Sequence, residues 1–246
     1  MRKIFASVVV AGAALLTVGS AAAADMPEYP DIPEVDYDIG GSFYLRGSAA
    51  LNWHWGGELN HPLASETWEY TEYGYGYSWG AGFGYETGTG LRFDGTIDSV
   101  ETTGLKITKS GMPDPDANGD YTLMLRSTVA LANVYYDFGL GGDWGYSSGS
   151  GGAFGYVGAG LGAAWNHSEV NAPVNNPVPT GTNVSVAGAL MAGVGYDMGT
   201  WVADVGYRAL YIDQVNNAPT ADADLYYEAD NNWIHEVRGT VRYRFN

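Results

Sequence analysis

Apolar and polar residues alternate with a period of two along most of the chain after residue 40. In the clearest run, at 73–85, seven Tyr, Trp, Phe or Ala residues alternate with Gly and Ser. Because successive side chains of a β-strand point to opposite faces, this pattern predicts strands and not helices. It recurs in eight segments, which lie at 41–53, 73–85, 91–98, 125–138, 156–165, 190–197, 201–211 and 236–245.

The connections between these segments alternate in length. Short or intermediate ones lie at 86–90, 139–152 and 198–200, and long polar ones lie near 55–71, 100–120, 166–183 and 213–232. Consecutive strands joined in this way form an antiparallel meander, and eight of them can close into a barrel. The sequence therefore predicts an all-β fold with up-and-down topology.

The aromatic side of these strands is too bulky for the inside of such a barrel. Eight strands enclose only enough space for their own side chains, and overfilling a core strains it. We therefore expect the rings to point outward into lipid, since a soluble protein does not expose an apolar belt of this size. The prediction is an eight-stranded antiparallel up-and-down transmembrane β-barrel. Its lipid-facing residues include Tyr75, Tyr77, Trp79, Phe83, Trp165, Tyr196, Tyr207, Tyr243 and Phe245. Rings near strand ends are expected to form interfacial girdles, namely Trp53, Tyr73, Trp165, Trp201, Trp233 and Tyr243.

The opposite side of the strands carries Gly, Ala, Ser and charged residues, which fit a narrow interior. Cations on the lipid face are costly, so arginines are expected inside. The predicted interior polar network comprises Arg46, Arg92, Asp94, Asp98, Asp204, Arg208, Glu236, Arg238 and Arg242, with Arg244 on the same side. We place Asp204, Arg208, Glu236 and Arg238 at its centre. The alternative is that several of these groups lie in water at the barrel ends, where solvated pairs contribute little.

The N-terminus has the three-part pattern of an export signal. Arg2 and Lys3 are followed by an apolar run and by small residues up to Ala24, which predicts a cleaved signal peptide at 1–24. Residues 25–40 are acidic and proline-rich, which is typical of an extended segment, here a periplasmic leader. The barrel is assigned to 41–246.

Composition excludes several function classes. The chain has 11 Lys and Arg against 28 Asp and Glu, a formal charge of −17, so nucleic acid is not an expected partner. It has no cysteine, which excludes disulfides, cysteine-ligated zinc, iron–sulfur clusters and thiol catalysis. We expect no cofactor.

Two short motifs carry possible chemistry. His167, Ser168 and Glu169 are adjacent, but neighbouring strand residues point to opposite faces and a catalytic triad needs converging side chains, so no enzymatic activity is expected. The stretch DPDANGD contains Asp114, Asp116, Asn118 and Asp120, which match the first half of a calcium loop. The twelfth position is Leu125 instead of glutamate, so an ordinary turn is favoured over a metal site.

Several strands together resemble the small outer-membrane β-barrel family. The stretches are FYLRGSAALNW, ALANVYYDFG, YVGAGLGAAW, LMAGVGYDMG, VADVGYRAL and HEVRGTVRYRF. They are most similar to the opacity-protein-like and alphaproteobacterial major surface-antigen group, which is related in design to the OmpA and OmpW barrels. The resemblance implies an outer-membrane location and a structural or surface role, with no particular ligand. It also implies recognition by the barrel-assembly machinery through the closing strand, where Asn246 follows the aromatic Phe245.

The leading functional hypothesis is a non-enzymatic outer-membrane barrel that supports envelope integrity and presents acidic loops. Its expected partners are outer-membrane lipid and lipopolysaccharide, and the ligand of the loops is unknown. One alternative is a narrow porin-like channel for small solutes or hydrophobic molecules, because glycine-lined strands could leave an interior gap. Another is adhesion through Trp68, Tyr70, Tyr73 and the Asn/Pro-rich stretch 171–179.

Overall fold

The computed structural model describes residues 40–55, 58–61, 66–68, 71–109, 118–140, 151–172, 178–217 and 226–245. The predicted signal peptide at 1–24 and the leader at 25–40, except its last residue, lie outside this set. The strands are β1 (Ser42–Trp55), β2 (Glu58–His61), β3 (Glu66–Trp68), β4 (Gly74–Glu86), β5 (Leu91–Lys109), β6 (Gly119–Gly139), β7 (Gly152–Asn171), β8 (Gly181–Asp197), β9 (Trp201–Asn216) and β10 (Glu228–Phe245). In the part of the chain that the structure covers, no helix has the length and apolarity needed to cross a membrane.

Eight long antiparallel strands form a closed ring. Each of β4–β9 pairs with the next strand along the chain, β1 pairs with β4, and β1 also pairs with β10. The predicted all-β, eight-stranded, up-and-down barrel is therefore confirmed. Closure leaves no free sheet edge around the ring, so the backbone groups of its wall are paired within the chain.

The register of pairing sets the dimensions of the barrel. Register partners lead from strand to strand once around the ring. Each residue in this series pairs with the one before it: Phe43, Tyr85, Phe93, Val134, Ala159, Leu190, Ala209, His235 and Trp53. The path returns to β1 ten residues beyond its start, from Phe43 to Trp53. With ordinary strand spacings, this stagger corresponds to a strand tilt of about 40° and a backbone radius of about 8 Å.

The two ends of the barrel differ. Chain residues Ser42 and Phe245 lie at the same end as the tight connections 87–90 and 198–200. The long connections are at the opposite end, and there the strands continue well beyond the predicted boundaries. We call this part the rim, which comprises residues 101–109, 118–126, 166–171, 181–185, 212–216 and 228–232.

The rim corrects the prediction that 100–120, 166–183 and 213–232 are loops. β5 extends to Lys109 and pairs with β6 down to Gly119, but the register shifts between Thr102 and Leu105. Gly104 has φ +84° at this irregularity, a conformation that glycine adopts without strain. Because a bulge breaks the period of two, the alternation beyond it falls out of phase and escapes a simple pattern search.

Candidate functional site

The outer surface of the barrel is a continuous apolar belt. The nine residues predicted to face lipid all lie on it, with exposed fractions between 38% and 64%. They are Tyr75, Tyr77, Trp79, Phe83, Trp165, Tyr196, Tyr207, Tyr243 and Phe245. Aliphatic side chains fill the space between them, among them Leu45, Ile97, Leu161, Leu190, Val205 and Val237.

Rings are concentrated at the two borders of this outer belt. The border at the end that carries Ser42 and Phe245 has Phe43, Tyr85, Phe138, Tyr196, Trp201 and Tyr243. The border near the rim carries Trp53, Trp55, Tyr75, Trp165, Tyr211 and Trp233. The two borders are ten residues apart along β1, from Phe43 to Trp53. In a strand tilted by about 40°, ten residues rise by about 25 Å along the barrel axis, which equals the height of the apolar band of outer-membrane barrels.

Arginines are sorted between the two sides of the wall. Six of them point inward with side chains at most 8% exposed, namely Arg46, Arg92, Arg208, Arg238, Arg242 and Arg244. Of the arginines in the described ranges, Arg126 is the one on the outer face, and its side chain is 66% exposed. It lies beside Glu101 at the start of the rim, with Nε 3.3 Å from Oε1.

The interior polar groups form three layers, and the first closes the end that carries Ser42 and Phe245. Glu86 binds Arg244, which also donates to Asp197 at 2.7 Å. The Arg92 guanidinium donates two hydrogen bonds, of 3.0 and 3.1 Å, to the Asp137 carboxylate. Arg242 lies 3.3 Å from Glu86. The sequence prediction did not include Glu86, Asp137 and Asp197 in the interior network. They lie at strand ends, where a carboxylate is usually solvated.

Asp94 organises the second layer. Its Oδ2 accepts hydrogen bonds from the Tyr44 hydroxyl at 2.8 Å and from Arg46 at 2.9 Å. Its Oδ1 accepts one from the Asn133 amide at 2.7 Å. Arg46 also donates to the hydroxyl of Tyr135 at 2.8 Å. The carboxylate therefore joins groups from three strands, β1, β5 and β6.

The third layer contains Asp98, Arg208, Glu236 and Arg238. Arg208 donates to Asp98 at 2.6 Å and to Glu236 at 2.5 Å. Arg238 donates to the same two carboxylates at 2.8 and 2.9 Å. Two cations and two anions thus alternate around a closed cycle, in which each charge has two opposite neighbours.

The predicted place of Asp204 at this centre is wrong, because Asp98 occupies it. Asp204 is paired in register with Thr240 and Arg208 with Glu236, so Asp204 lies one layer lower. There it accepts a hydrogen bond from the Tyr156 hydroxyl at 3.2 Å and lies 3.8 Å from Arg242. Asp98 reaches the cycle from β5 on the far wall, a contact that sequence spacing does not reveal.

An apolar layer, not predicted from the sequence, closes the barrel above the third ionic layer. Its side chains are buried and include Val100, Val129, Leu210, Ile212 and Ile234. Their positions continue the inward phase of their strands, so the signal was present in the alternation. The prediction treated the whole inner side as polar and therefore did not include this apolar layer.

Large side chains fill the spaces that inward glycines leave open. A Cβ on Gly84 would lie 2.5 Å from the ring of Tyr44, and Tyr135 and Tyr156 take the same role beside Gly158 and Gly206. A cavity between the ionic layers has a volume of about 10 Å³, on the order of a single water. The interior gap that motivated the channel alternative is occupied at these positions.

The remaining candidate residues do not assemble a site. Ser168 is buried inside and bonded to Tyr227 at 2.6 Å, whereas His167 lies outside, 3.2 Å from Glu169, so the three cannot converge on one substrate. Of the calcium-loop residues, Asp114 and Asp116 lie outside the described residues, and Asp120 binds Lys106 and Thr108. Asn118 immediately precedes β6. Within the described ranges, no three His, Asp or Glu side chains could together hold a metal ion.

Comparisons with known proteins give structural matches only. No protein-family model matches the chain, and no curated protein does. The chain is similar to Neisserial surface protein A (22% identity, TM-score 0.46, covering 84% of this chain and 99% of that one). It is also similar to Ail of Yersinia pestis (11%, 0.39, 82% and 99%) and to the N-terminal barrel domain of Pseudomonas aeruginosa OprF (14%, 0.39, 82% and 97%).

These three proteins are small outer-membrane barrels, the class that the sequence resembles. With identities of at most 22% and TM-scores of at most 0.46, neither a function nor a ligand is carried over from them.

Proposed function

We propose that this chain is a non-enzymatic outer-membrane barrel with a structural and surface role. The observation that carries the proposal is the pairing of a ring-bordered apolar belt outside with a filled, ion-paired interior. Lipid is the solvent suited to such a belt, and a closed barrel is the sheet that lipid tolerates. The belt would bind outer-membrane lipid and lipopolysaccharide, and the closing strand would be read by the assembly machinery.

The rim supports the surface part of the proposal. Strands β5–β10 carry it beyond the belt, and two of the three connections that it supports, 110–118 and 217–227, contain two aspartates each. The paired strands of the rim would hold such connections away from the membrane. In that position the connections would contact partners and neighbouring cells. Envelope integrity is the second contribution, because a filled barrel adds a stable wall element without opening a pore.

Cysteine labelling of intact cells tests the location and the orientation. The chain has no cysteine, so Asn171→Cys in the rim and Thr89→Cys in the tight connection at the other end each create a unique thiol. A membrane-impermeant maleimide should label the first variant on intact cells and the second only after the outer membrane is permeabilised. Equal labelling of both on intact cells, or the reverse order, would overturn the proposal.

The narrow-channel alternative makes a different prediction. Purified protein in planar bilayers should give no single-channel steps if the ionic layers and the apolar layer fill the lumen, since wide aqueous channels need about 16–18 strands. A 16-stranded porin reconstituted in the same way is the positive control. Reproducible steps from the wild-type chain would favour the channel.

A further inference from the structure

A groove of about 370 Å³ opens on the outer surface where β4–β7 pass from the outer belt into the rim. Its lower wall is built by Leu51 and Tyr77, and Met124 lines it further up. Arg126 and His167 lie above Leu51 and Tyr77, and Met124 lies above Arg126, two residues nearer the rim end of β6. The groove therefore spans the level at which the surface changes from apolar to charged.

The register of pairing explains this gradient. Leu51 pairs with Tyr77, Tyr77 with Glu101, Glu101 with Arg126 and Arg126 with His167, so five strands contribute one residue each to a single row. Because the strands tilt by about 40°, such a row climbs by about 3 Å at each strand. The row begins at Leu51 inside the belt and ends at His167 in the rim, with Arg126 between them.

Arg126 is placed to receive an anion. Its contact with Glu101 is made through Nε, and among the described residues no other acceptor is seen at its guanidinium. The second oxygen of Glu101 accepts the Tyr77 hydroxyl at 2.9 Å, which holds the carboxylate beside the wall of the groove. The planar fork of an arginine matches the geometry of a phosphate, with which it can form two parallel hydrogen bonds.

We propose that this groove binds a phosphate-bearing lipid of the outer leaflet, with its acyl chain against Leu51 and Tyr77 and its phosphate on Arg126. The inference rests on the proposed function, because that function brings the groove to the membrane surface. Free phosphate has little reason to bind, since Glu101 and Glu169 lie close to the single arginine. Attachment of the phosphate to an acyl chain adds apolar contact with the lower wall.

Native mass spectrometry of the folded protein in a neutral maltoside detergent tests this site. The probes are phosphatidic acid and diacylglycerol with the same acyl chains. Arg126→Gln should weaken phosphatidic acid binding at least tenfold and leave diacylglycerol binding unchanged. Glu101→Gln should strengthen phosphatidic acid binding because it removes a competing carboxylate, and Leu51→Ser should weaken both lipids.

Lys106→Gln is the matched control. Lys106 is a cation of the rim that pairs with Glu72 and Asp120 away from the groove, so its removal should change phosphatidic acid binding less than twofold. An unchanged affinity in Arg126→Gln would overturn the site. So would an equal loss in Lys106→Gln, inorganic phosphate competing at the same concentration as the lipid, or a second protein copy replacing the lipid. These outcomes are independent of the cell-labelling result, because folding in detergent does not require the proposed location.

Discussion

Arg208 on β9 and Asp98 on β5 meet across the lumen, with Nη1 2.6 Å from Oδ2, although 110 residues separate them in the chain. Their strands are not neighbours in the ring. The contact therefore joins opposite walls of the barrel. Together with Arg238 and Glu236, this pair links the two walls by ion pairs, which stabilise the barrel in addition to the backbone hydrogen bonds of the wall.

Glu236→Ala should destabilise the barrel strongly. It removes one anion of the buried cycle and leaves Arg208 and Arg238 under-compensated, and breaking a buried pair costs about 3–5 kcal/mol. Urea unfolding of the protein in lipid vesicles, followed by tryptophan fluorescence, measures the loss. Glu101→Ala is the control, because its partner Arg126 is exposed and such pairs contribute about 0–1 kcal/mol. Equal losses in the two variants would show that the interior cycle does not stabilise the fold.

Ile97→Arg should also lower stability, for a reason outside the barrel. Ile97 lies midway along the belt, four residues from Phe93 and four from Glu101, with an exposed fraction of 62%. A cation at the lipid midplane costs about 2–4 kcal/mol. Asn171→Arg in the water-exposed rim should cost nothing measurable in the same unfolding assay. If Ile97→Arg were equally neutral, lipid would not cover this face.

The placement of rings outside and arginines inside was predictable from the sequence. Volume decides it, because the rings of one side, among them Trp79 and Phe83, together exceed what a narrow lumen accepts. The residues that alternate with them, such as Gly80 and Gly82, leave room inside. The barrel topology followed from the same alternation. Both conclusions use local periodicity together with one global constraint, the small radius of an eight-stranded ring.

Gly76→Ala should disturb the pairing of β4 with β5. A Cβ at this position would collide with the backbone carbonyl of Glu101, which cannot move as a flexible side chain can. Overpacking of this kind costs about 1–3 kcal/mol. Gly47→Ala on β1 is the control, because nothing lies within 4 Å of its added Cβ. The fraction that stays folded on unboiled electrophoresis reports both, and an equal shift for the two variants would contradict the packing described.

Contacts between distant strands were not predictable. Asp98 and Asp204 are both inward-facing acids, and the alternation pattern alone does not show which of them joins Arg208. The register of pairing decides this, because it sets the height of each residue in the barrel. The bulge at Gly104 hides the upper part of β5 for a related reason, since one inserted residue reverses the phase of the alternation. Pairing register and bulges depend on the neighbouring strand, which a single-strand pattern does not contain.

Asp120 in the rim should titrate unusually. The Thr108 hydroxyl donates to it at 2.8 Å and Lys106 lies 3.2 Å away, and these two partners lower the pKa of its carboxyl. The stabilisation is present above the pKa of the unfolded state and is lost as pH falls through the folded value. In Thr108→Val the pKa of Asp120 should rise toward its ordinary value, as measured by carbon NMR of the carboxyl. Thr182→Val, which lies elsewhere in the rim, should leave this pKa unchanged.

Spin-label accessibility tests most directly whether the ringed outer face lies in acyl chains. Nitroxides attached to single cysteines at Ile97 and Asn171 would be compared in lipid vesicles by their collisions with oxygen, which partitions into lipid, and with a water-soluble nickel complex. The label at Ile97 should collide with oxygen and be shielded from nickel, and the label at Asn171 should behave in the opposite way. Nickel access at Ile97 equal to that at Asn171 would contradict a lipid-facing belt.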